Sequence, residues 1–321
     1  MIIPNKLQAG DEVRIIAPAK SFLPAFTAEM RSSAQKKLEL LGLVVTFGDF
    51  VDEVDELFSA TVEHRLFDLH NAFRDPNVKA ILSVQGGSQS NQLLKLLDYE
   101  LIRANPKILC GMSDITALTN AIYKKTGLVT YSGPGFTLFK ESATLEYTLE
   151  YFRKALFAEE SIIIESAQQY SDKRIADEIR KNEGYWVMNP GESQGTAIGG
   201  NLITMNMLQG SEFMPDLSGC ILFIEDNDKE SNRAFANHLQ AIINQPNFPG
   251  VQGLVIGRFQ DGTQMTRELL EKILATKPEL RHMPIVANVD FGHTVPMITF
   301  PIGGKVALKV TSAASLEILT H

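Results

Sequence analysis

The segment KILCGMSDITALTNAIYKKTGLVTYSGP, residues 107–134, predicts the fold of the first half of the chain. An apolar run at 107–112 is followed by a helical pattern at 114–127 and by a second apolar run at 128–134. Apolar strands joined by a helix are typical of parallel sheets that are covered on both faces. The segment therefore indicates a βαβ unit of an α/β domain.

The same alternation continues toward the N-terminus. The strand-like runs there are VRIIAPA, VVTFGD and AILSVQGG, and the helical stretches between them are AEMRSSAQKKLELLG, TVEHRLFDLHNAF and SNQLLKLLDYELI. Leucine and phenylalanine then recur at helical spacing, which predicts a closing helix over 144–158. We expect a doubly wound domain over residues 1–160.

Beyond residue 160 the pattern fails and then resumes. Residues 161–195 mix charges, glycine, proline and aromatics, which indicates a long connection and not another layer. From 196 onward, TAIGGN opens a helical stretch, and strand-like runs such as CILFIE, GLVIGRF and KVALKV alternate with helical ones. The last third, 196–321, is therefore predicted to be a second, smaller β/α domain.

Composition excludes several classes of protein. The chain of 321 residues is 44% hydrophobic and 21% charged, as in ordinary globular proteins. No apolar run reaches about 18 residues and the start lacks the order of a signal peptide, so we expect a cytoplasmic protein without a membrane partner. The net charge of -8 is scattered, which argues against nucleic acid. Cys110 and Cys220 lie in apolar runs and are predicted to be buried, reduced thiols.

Three reactive side chains follow the ends of predicted strands. Ser113 follows KILCGM, Glu225 ends CILFIE, and His293 follows PIVANVDFG. Ligands bind in α/β proteins beside the carboxyl ends of strands, so these groups can converge there. A serine hydroxyl becomes a good nucleophile only when a base takes its proton, and histidine is the side chain that titrates near neutrality. A carboxylate can orient the imidazole of that histidine.

Each of these residues also has a structural interpretation. Ser113 or Asp114 could simply cap the following helix, His293 could be a hydrogen-bonded structural residue, and Glu225 could be a solvated strand end beside the acidic loop DNDKE. That loop lacks the glycine and spacing of a calcium loop, so no metal is expected.

The glycine pair Gly86-Gly87 follows the strand-like run AILSVQ. Glycines let backbone N-H groups approach a reacting oxygen, so the N-H groups of Gly87 and Asp114 are candidates for an oxyanion hole. The sequences GxGxxG and GxxxxGK[ST] are absent, which argues against a phosphate loop, although the pair could also be a simple turn.

Several segments of the chain resemble the LD-carboxypeptidases of the S66 serine peptidase class, in the branch that contains the microcin C immunity proteins. The matching segments are LQAGDEVRIIAPA, VQGGSQSNQLL, GMSDITALTNAIYKKTGLVTYSGP, EGYWV, GTAIGGNL, LFIEDND, GLVIGRF and PIVANVDFGHTVPMITFPIGG. They cover nearly the whole chain in order. α/β-Hydrolases share the order Ser, Glu, His, but their GxSxG elbow is broken here by Ile115.

The resemblance implies a Ser113, His293 and Glu225 triad between a flavodoxin-like N-terminal domain and a C-terminal swivelling domain, usually in a homodimer. It further implies substrate contacts at Gly86 and Ser88 and, for this branch, nucleobase stacking on Trp186. A buried, gap-filling indole is the alternative for Trp186. No cofactor is expected.

The implied substrate is a processed microcin C-like aminoacyl-nucleotide, cleaved at an amide bond in self-immunity or detoxification. The alternative within the enzyme class is a murein tetrapeptide, cut by an LD-carboxypeptidase in peptidoglycan recycling. A different hypothesis is a binding protein that sequesters such a ligand without cleaving it.

Overall fold

The computed structural model describes residues 1–140, 142–172 and 178–321. The strands in the described residues are β1 (Glu12–Ile16), β2 (Val44–Phe47), β3 (Val78–Ser83), β4 (Ile108–Gly111), β5 (Thr130–Ser132), β6 (Ile162–Ile164), β7 (Gln169–Tyr170), β8 (Arg180–Lys181), β9 (Trp186–Asn189), β10 (Gly191–Asn201), β11 (Cys220–Glu225), β12 (Gly253–Gly257), β13 (Ile285–Val289), β14 (Phe300–Ile302), β15 (Lys305–Val310) and β16 (Ala314–Thr320). The α-helices are α1 (Ala28–Leu40), α2 (Val62–Arg74), α3 (Tyr99–Ala104), α4 (Thr116–Thr126), α5 (Leu145–Phe157), α6 (Leu202–Asn206), α7 (Asn232–Ile243) and α8 (Arg267–Ala275).

The first sheet has the strand order β14-β5-β4-β3-β1-β2. Strands β1 to β5 are parallel and follow the flavodoxin-type order 2-1-3-4-5, and β14 joins β5 in the antiparallel direction. Each β4 residue is buried, as expected for a strand covered on both faces. The predicted α/β fold with a parallel N-terminal sheet is confirmed, and α5 confirms the closing helix.

The second sheet has the order β6-β16-β15-β10-β11-β12-β13-β9. Its central strands β10 to β13 are parallel, and the strands on either side are antiparallel. The sequence predicts that the second domain, 196–321, is the smaller one. Its sheet nevertheless has eight strands, two more than the first sheet. Both free cysteines are buried, as predicted, one in each sheet.

Residues 161–195 differ from the predicted connection. They supply β6 and β9, which are the two outer strands of the second sheet, and the first half of β10. The boundary at 195 therefore falls inside a strand. Outer strands tolerate short, polar and glycine-containing sequences because only one of their edges is paired, which explains why the pattern indicated a connection.

Two further details differ from the sequence pattern. The stretch SNQLLKLLDYELI, expected as one helix, forms a 3-10 turn at Ser90–Leu93 and the separate helix α3, which Asp98 caps through Leu101 N-H. Strand β14 lies in the last third of the chain but pairs with the first sheet. That pairing ties the two halves together near the ends of β4 and β5.

Candidate active site

Ser113, His293 and Glu225 form one hydrogen-bonded chain. Ser113 Oγ lies 3.1 Å from His293 Nε2, and His293 Nδ1 lies 2.6 Å from Glu225 Oε2. The carboxylate accepts the Nδ1 proton, which leaves Nε2 as the acceptor for the serine hydroxyl. The predicted convergence of residues separated by up to 180 positions is therefore present.

Ser113 has an unusual backbone conformation. It lies two residues after the end of β4, opens the 3-10 turn Ser113–Ile115, and has a φ of +60°. A non-glycine residue in the left-handed region carries strain, and such strain is concentrated at functional sites. A Cβ added at Gly86 would lie 2.6 Å from Ser113 Cβ, so the glycine lets these two segments approach.

Asp114 fixes the loop after the glycine pair. Its Oδ2 accepts hydrogen bonds from Gln89 N at 2.9 Å and Ser90 N at 2.7 Å, while burial raises the pKa of the carboxyl. Helix α4 has no side-chain N-cap hydrogen bond. The interpretation of Ser113 or Asp114 as a mere helix cap is therefore wrong, since both side chains have long-range partners.

Glu225 is buried, with only 2% of its surface exposed. Its Oε1 accepts a hydrogen bond from Asn201 Nδ2 at 3.1 Å, and Oε2 accepts the one from His293. Both oxygens thus have donors, which offsets the cost of burying a charge. The alternative of a solvated strand end is wrong.

Asn201 connects this carboxylate to the helix that follows the nucleophile. Its backbone N-H donates to Thr116 Oγ1 at 3.0 Å, while its side chain donates to Glu225. Sequence reasoning missed Asn201. The signal was GTAIGGN, a second glycine pair followed by a polar residue, which was assigned only to the start of a helix.

Asp226 and His238 form a second acid and histidine pair behind Glu225. Asp226 Oδ2 lies 3.5 Å from His238 Nδ1, and neither atom has a hydrogen-bond partner among the described residues. Burial, followed by the neighbouring charge of Glu225, raises the pKa of Asp226 to about 8. Asp226 therefore keeps its proton at neutral pH.

Ser113 and His293 open into a cavity of about 430 Å³. Gly86, Gly87 and Ser88, the predicted glycine-pair contacts, line the same cavity. The other lining residues are Lys20, Leu57, Phe58, Gln85, Gln89, Asn227, Asp228 and Lys229. Among the described residues there is no cluster of three histidine, cysteine or acidic side chains of the kind that holds a metal.

Trp186 is not among the residues that line this cavity. It lies on β9, opposite Ala287 of β13, and its half-buried indole packs against the core. Its Nε1 is buried and has no hydrogen-bond partner in the described part of the chain. Base stacking on Trp186 stays a prediction.

Two family models match the chain. The LD-carboxypeptidase N-terminal domain matches residues 13–133 and the LD-carboxypeptidase C-terminal domain matches residues 194–308. The chain belongs to the LD-carboxypeptidase (S66 peptidase) family. It is thus an enzyme of the S66 carboxypeptidases, as the resemblance implied.

Curated relatives of this family member cover it almost completely. It is 45% identical to the putative carboxypeptidase YocD of Bacillus subtilis, over 97% of both chains. It is 30% identical to a probable murein peptide carboxypeptidase of Bacillus subtilis, over 98% of this chain and 93% of the relative.

Solved structures also match over the whole length. An MccF-like protein from Bacillus anthracis has a TM-score of 0.98 and 47% identity, with both chains fully covered. The microcin C7 self-immunity protein MccF in complex with aspartyl sulfamoyl adenosine has a TM-score of 0.90 and 27% identity, covering 100% of this chain and 99% of the other. In the described residues, no helix is both long and apolar enough to cross a lipid bilayer.

Proposed function

We propose that this S66 enzyme is a serine amidase with a Ser113, His293 and Glu225 triad, and that it cleaves the amide bond of a processed microcin C-like aminoacyl-nucleotide. The observation that carries the proposal is the continuous hydrogen-bonded chain from Ser113 Oγ through the imidazole of His293 to the buried Glu225, with Ser113 and His293 lining one cavity. Strain at the nucleophile adds support, because a φ of +60° directs Ser113 away from a normal helical start.

The mechanism follows from the direction of these hydrogen bonds. Ser113 Oγ attacks the carbonyl carbon while His293 Nε2 takes the hydroxyl proton. Glu225 stabilises the imidazolium that forms. His293 then gives the proton to the leaving amine, the C-N bond breaks, and an acyl ester on Ser113 remains. Water, deprotonated by His293, hydrolyses this ester and restores the serine.

The oxyanion hole is part of the same proposal. We assign it to the backbone N-H groups of Gly87 and Asp114, since Gly87 lines the cavity and Asp114 follows the nucleophile. Two fixed donors would stabilise the negative oxygen of the tetrahedral intermediate, and losing one donor typically costs on the order of 100 to 1000-fold in rate.

The choice of substrate rests on the likeness to MccF, which has been solved with aspartyl sulfamoyl adenosine. The purified enzyme should release the free amino acid from an aminoacyl-nucleotide of this type, followed by mass spectrometry. The Ser113→Ala variant, tested in parallel, should release none. A wild-type protein that leaves this substrate intact would contradict the proposal.

A murein tetrapeptide is the second candidate substrate, favoured by the probable murein peptide carboxypeptidase among the relatives. Incubation with the tetrapeptide under the same conditions separates the candidates. Cleavage of the tetrapeptide alone would replace the nucleotide proposal. If neither compound is cleaved and no serine-directed phosphonate labels Ser113, the binding-protein hypothesis takes its place.

A homodimer and a cytoplasmic location complete the proposal, both on the basis of the family. Light scattering on a size-exclusion column measures the mass, which should be twice the 35.5 kDa of one chain. Fractionation of the producing cells tests the location.

A further inference from the structure

We propose that Lys20, Leu57 and Phe58 form a second half of the substrate site, which binds an anionic group, phosphate or carboxylate, that lies next to a ring or apolar side chain. The three residues line the same cavity as Ser113 and His293. The inference rests on the proposed function, because it assigns the substrate contacts of that cavity.

Leu57 and Phe58 are exposed apolar side chains at the mouth of a polar cavity. Each is 61% exposed. The free energy falls when a ligand covers two adjacent large apolar side chains that were exposed to water. Exposed apolar surface beside a cleft is therefore typical of binding sites. The pair therefore offers an apolar platform directly beside the nucleophile.

The conformation of Phe58 shows that this platform is held in place. Phe58 has a φ of +62°, a conformation that costs energy for an aromatic residue. Its N-H donates to Asp55 O at 3.0 Å, and its carbonyl accepts from Ser21 N at 3.0 Å. Asp55 Oδ1 also accepts from Leu57 N at 2.9 Å, which closes the turn.

The turn is connected to the nucleophile through Gln89. The Gln89 side chain donates from Nε2 to Leu57 O at 3.1 Å and accepts from Ser59 Oγ at 2.6 Å. Its backbone N-H donates to Asp114, the neighbour of Ser113. The platform is thus fixed relative to the reacting hydroxyl by hydrogen bonds, as specificity requires.

Lys20 supplies the charge of this subsite. Its Nζ lies 4.9 Å from the Phe58 ring centroid and 5.4 Å from that of Phe22. Among the described residues, no carboxylate lies within ion-pair distance of Lys20, so its positive charge is available to a ligand. A Cβ at Gly87 would lie 2.6 Å from Lys20 N, so Lys20 is packed directly against the glycine pair.

A cation beside an apolar platform selects a ligand that has an anion beside a ring or an apolar side chain. The phosphate and base of a nucleotide have this chemistry, and so does the terminal carboxylate of a peptide. Electrostatic attraction to Lys20 would hold the anion, and contact with Phe58 would hold the neighbouring group.

The test compares anionic and neutral probes in the Ser113→Ala background, in which binding can be measured without turnover. AMP and adenosine form one pair, and the murein tetrapeptide and its C-terminal amide form the other. Calorimetry should show that the anionic member of at least one pair binds about 10-fold more tightly. The Lys20→Met variant should lose this preference and bind the neutral member as before.

The platform is tested by Phe58→Asn, because asparagine tolerates a positive φ and should keep the turn. We expect this variant to bind both members of the preferred pair about 10-fold more weakly, as expected for a lost stacking contact. Lys36→Met and Phe67→Ala are matched controls, since both side chains are exposed on helices away from the cavity and should leave affinities unchanged.

The outcomes separate the subsite from the proposed function. Two results would overturn the subsite. One is that the Ser113→Ala protein shows no preference for the anionic probes, and the other is that the Lys20→Met and Phe58→Asn variants bind every probe as tightly as the Ser113→Ala protein does. If the wild type cleaves neither substrate but its charge preference depends on Lys20, the proposed function fails and the subsite stands. Lys20→Met and Phe58→Asn should also be made with Ser113 intact. If both of these variants cleave the substrate at the normal rate with unchanged KM, the function stands and the subsite is removed.

Discussion

β4 and β11 are inner strands of the first and second sheet, but their carboxyl ends present opposite environments. After β4, Ser113 faces a cavity in a strained left-handed conformation. At the end of β11, Glu225 and Asp226 are buried at 2% and 1% exposure. One strand end presents a reactive group to ligands, whereas the other hides the charge that supports it, because a carboxylate orients an imidazole best where water cannot compete.

The largest expected effect is the loss of the group at the β4 end. Ser113→Ala removes the nucleophile, and comparable changes in serine hydrolases lower kcat on the order of a million-fold. Steady-state assays with whichever candidate substrate the wild type cleaves measure it, together with loss of phosphonate labelling. Residual activity within 100-fold of wild type would show that Ser113 is not the nucleophile.

The group at the β11 end should matter less. Glu225→Gln keeps the shape but removes the charge that stabilises the imidazolium, and we expect a loss on the order of ten thousand-fold in kcat with KM little changed. Glu317→Gln on β16, outside the cavity, is the control. Equal activity of the two variants would contradict the assigned role.

Asp226, the buried acid next to Glu225, should make stability depend on pH. The pKa of folded Asp226, about 8, lies above its usual value of 3.8. Between these values the folded state holds a proton that the unfolded state has released. The free energy of unfolding should therefore fall as pH rises from about 4 to 8.

Asp226→Asn removes this titration. We compare the free energy of unfolding of the variant with that of the wild type at each pH. This difference should shift in favour of the variant by on the order of a few kcal/mol between pH 5 and pH 8.5. Urea unfolding at both pH values measures the difference. Glu225, Glu230 and His238 also face this site and are present in both proteins, so parallel pH curves of the two proteins would argue against a buried neutral Asp226.

The packing of the β4 end can be broken at Gly86. An alanine Cβ would lie 2.6 Å from Ser113 Cβ, so Gly86→Ala should displace the nucleophile. A displacement of about 1 Å can cost on the order of 100-fold in rate. Both kcat and Tm should be measured. An unfolded variant loses activity and has a lowered Tm, whereas a folded variant with a misaligned serine loses activity and keeps its Tm. Full activity would show that the site tolerates the shift.

The smallest effect concerns the strain itself. Ser113→Gly relieves the left-handed conformation, whereas Ser113→Ala does not. The free energy of unfolding, measured in urea, should therefore be about 1 kcal/mol higher for the glycine variant than for the alanine variant. Identical midpoints would indicate that the β4 end is not strained.

Sequence reasoning succeeded where the structure is local. The run from residue 107 to 134 predicted β4, α4 and β5 because each element has its own periodicity. It failed for β6 and β9, since an outer strand is defined by its distant partner, β16 or β13, and not by its own composition. The 11-residue β10 is an inner strand, but its polar and glycine-rich sequence GESQGTAIGGN has no strand period, so the predicted boundary at 195 falls inside it.

The sequence by itself determined strands β1 to β5 and most of the helices around the first sheet and put Ser113, Glu225 and His293 at or after strand ends. Only the tertiary structure decided that their side chains meet within 3.1 Å and that Asn201 donates a hydrogen bond to Glu225. It also decided that Phe58, and not Trp186, lines the cavity with Ser113 and His293. The hydrophobic periodicity of a segment depends only on which of its own faces is buried. These contacts join residues that are far apart in the sequence, so they depend on how the two sheets pack against each other.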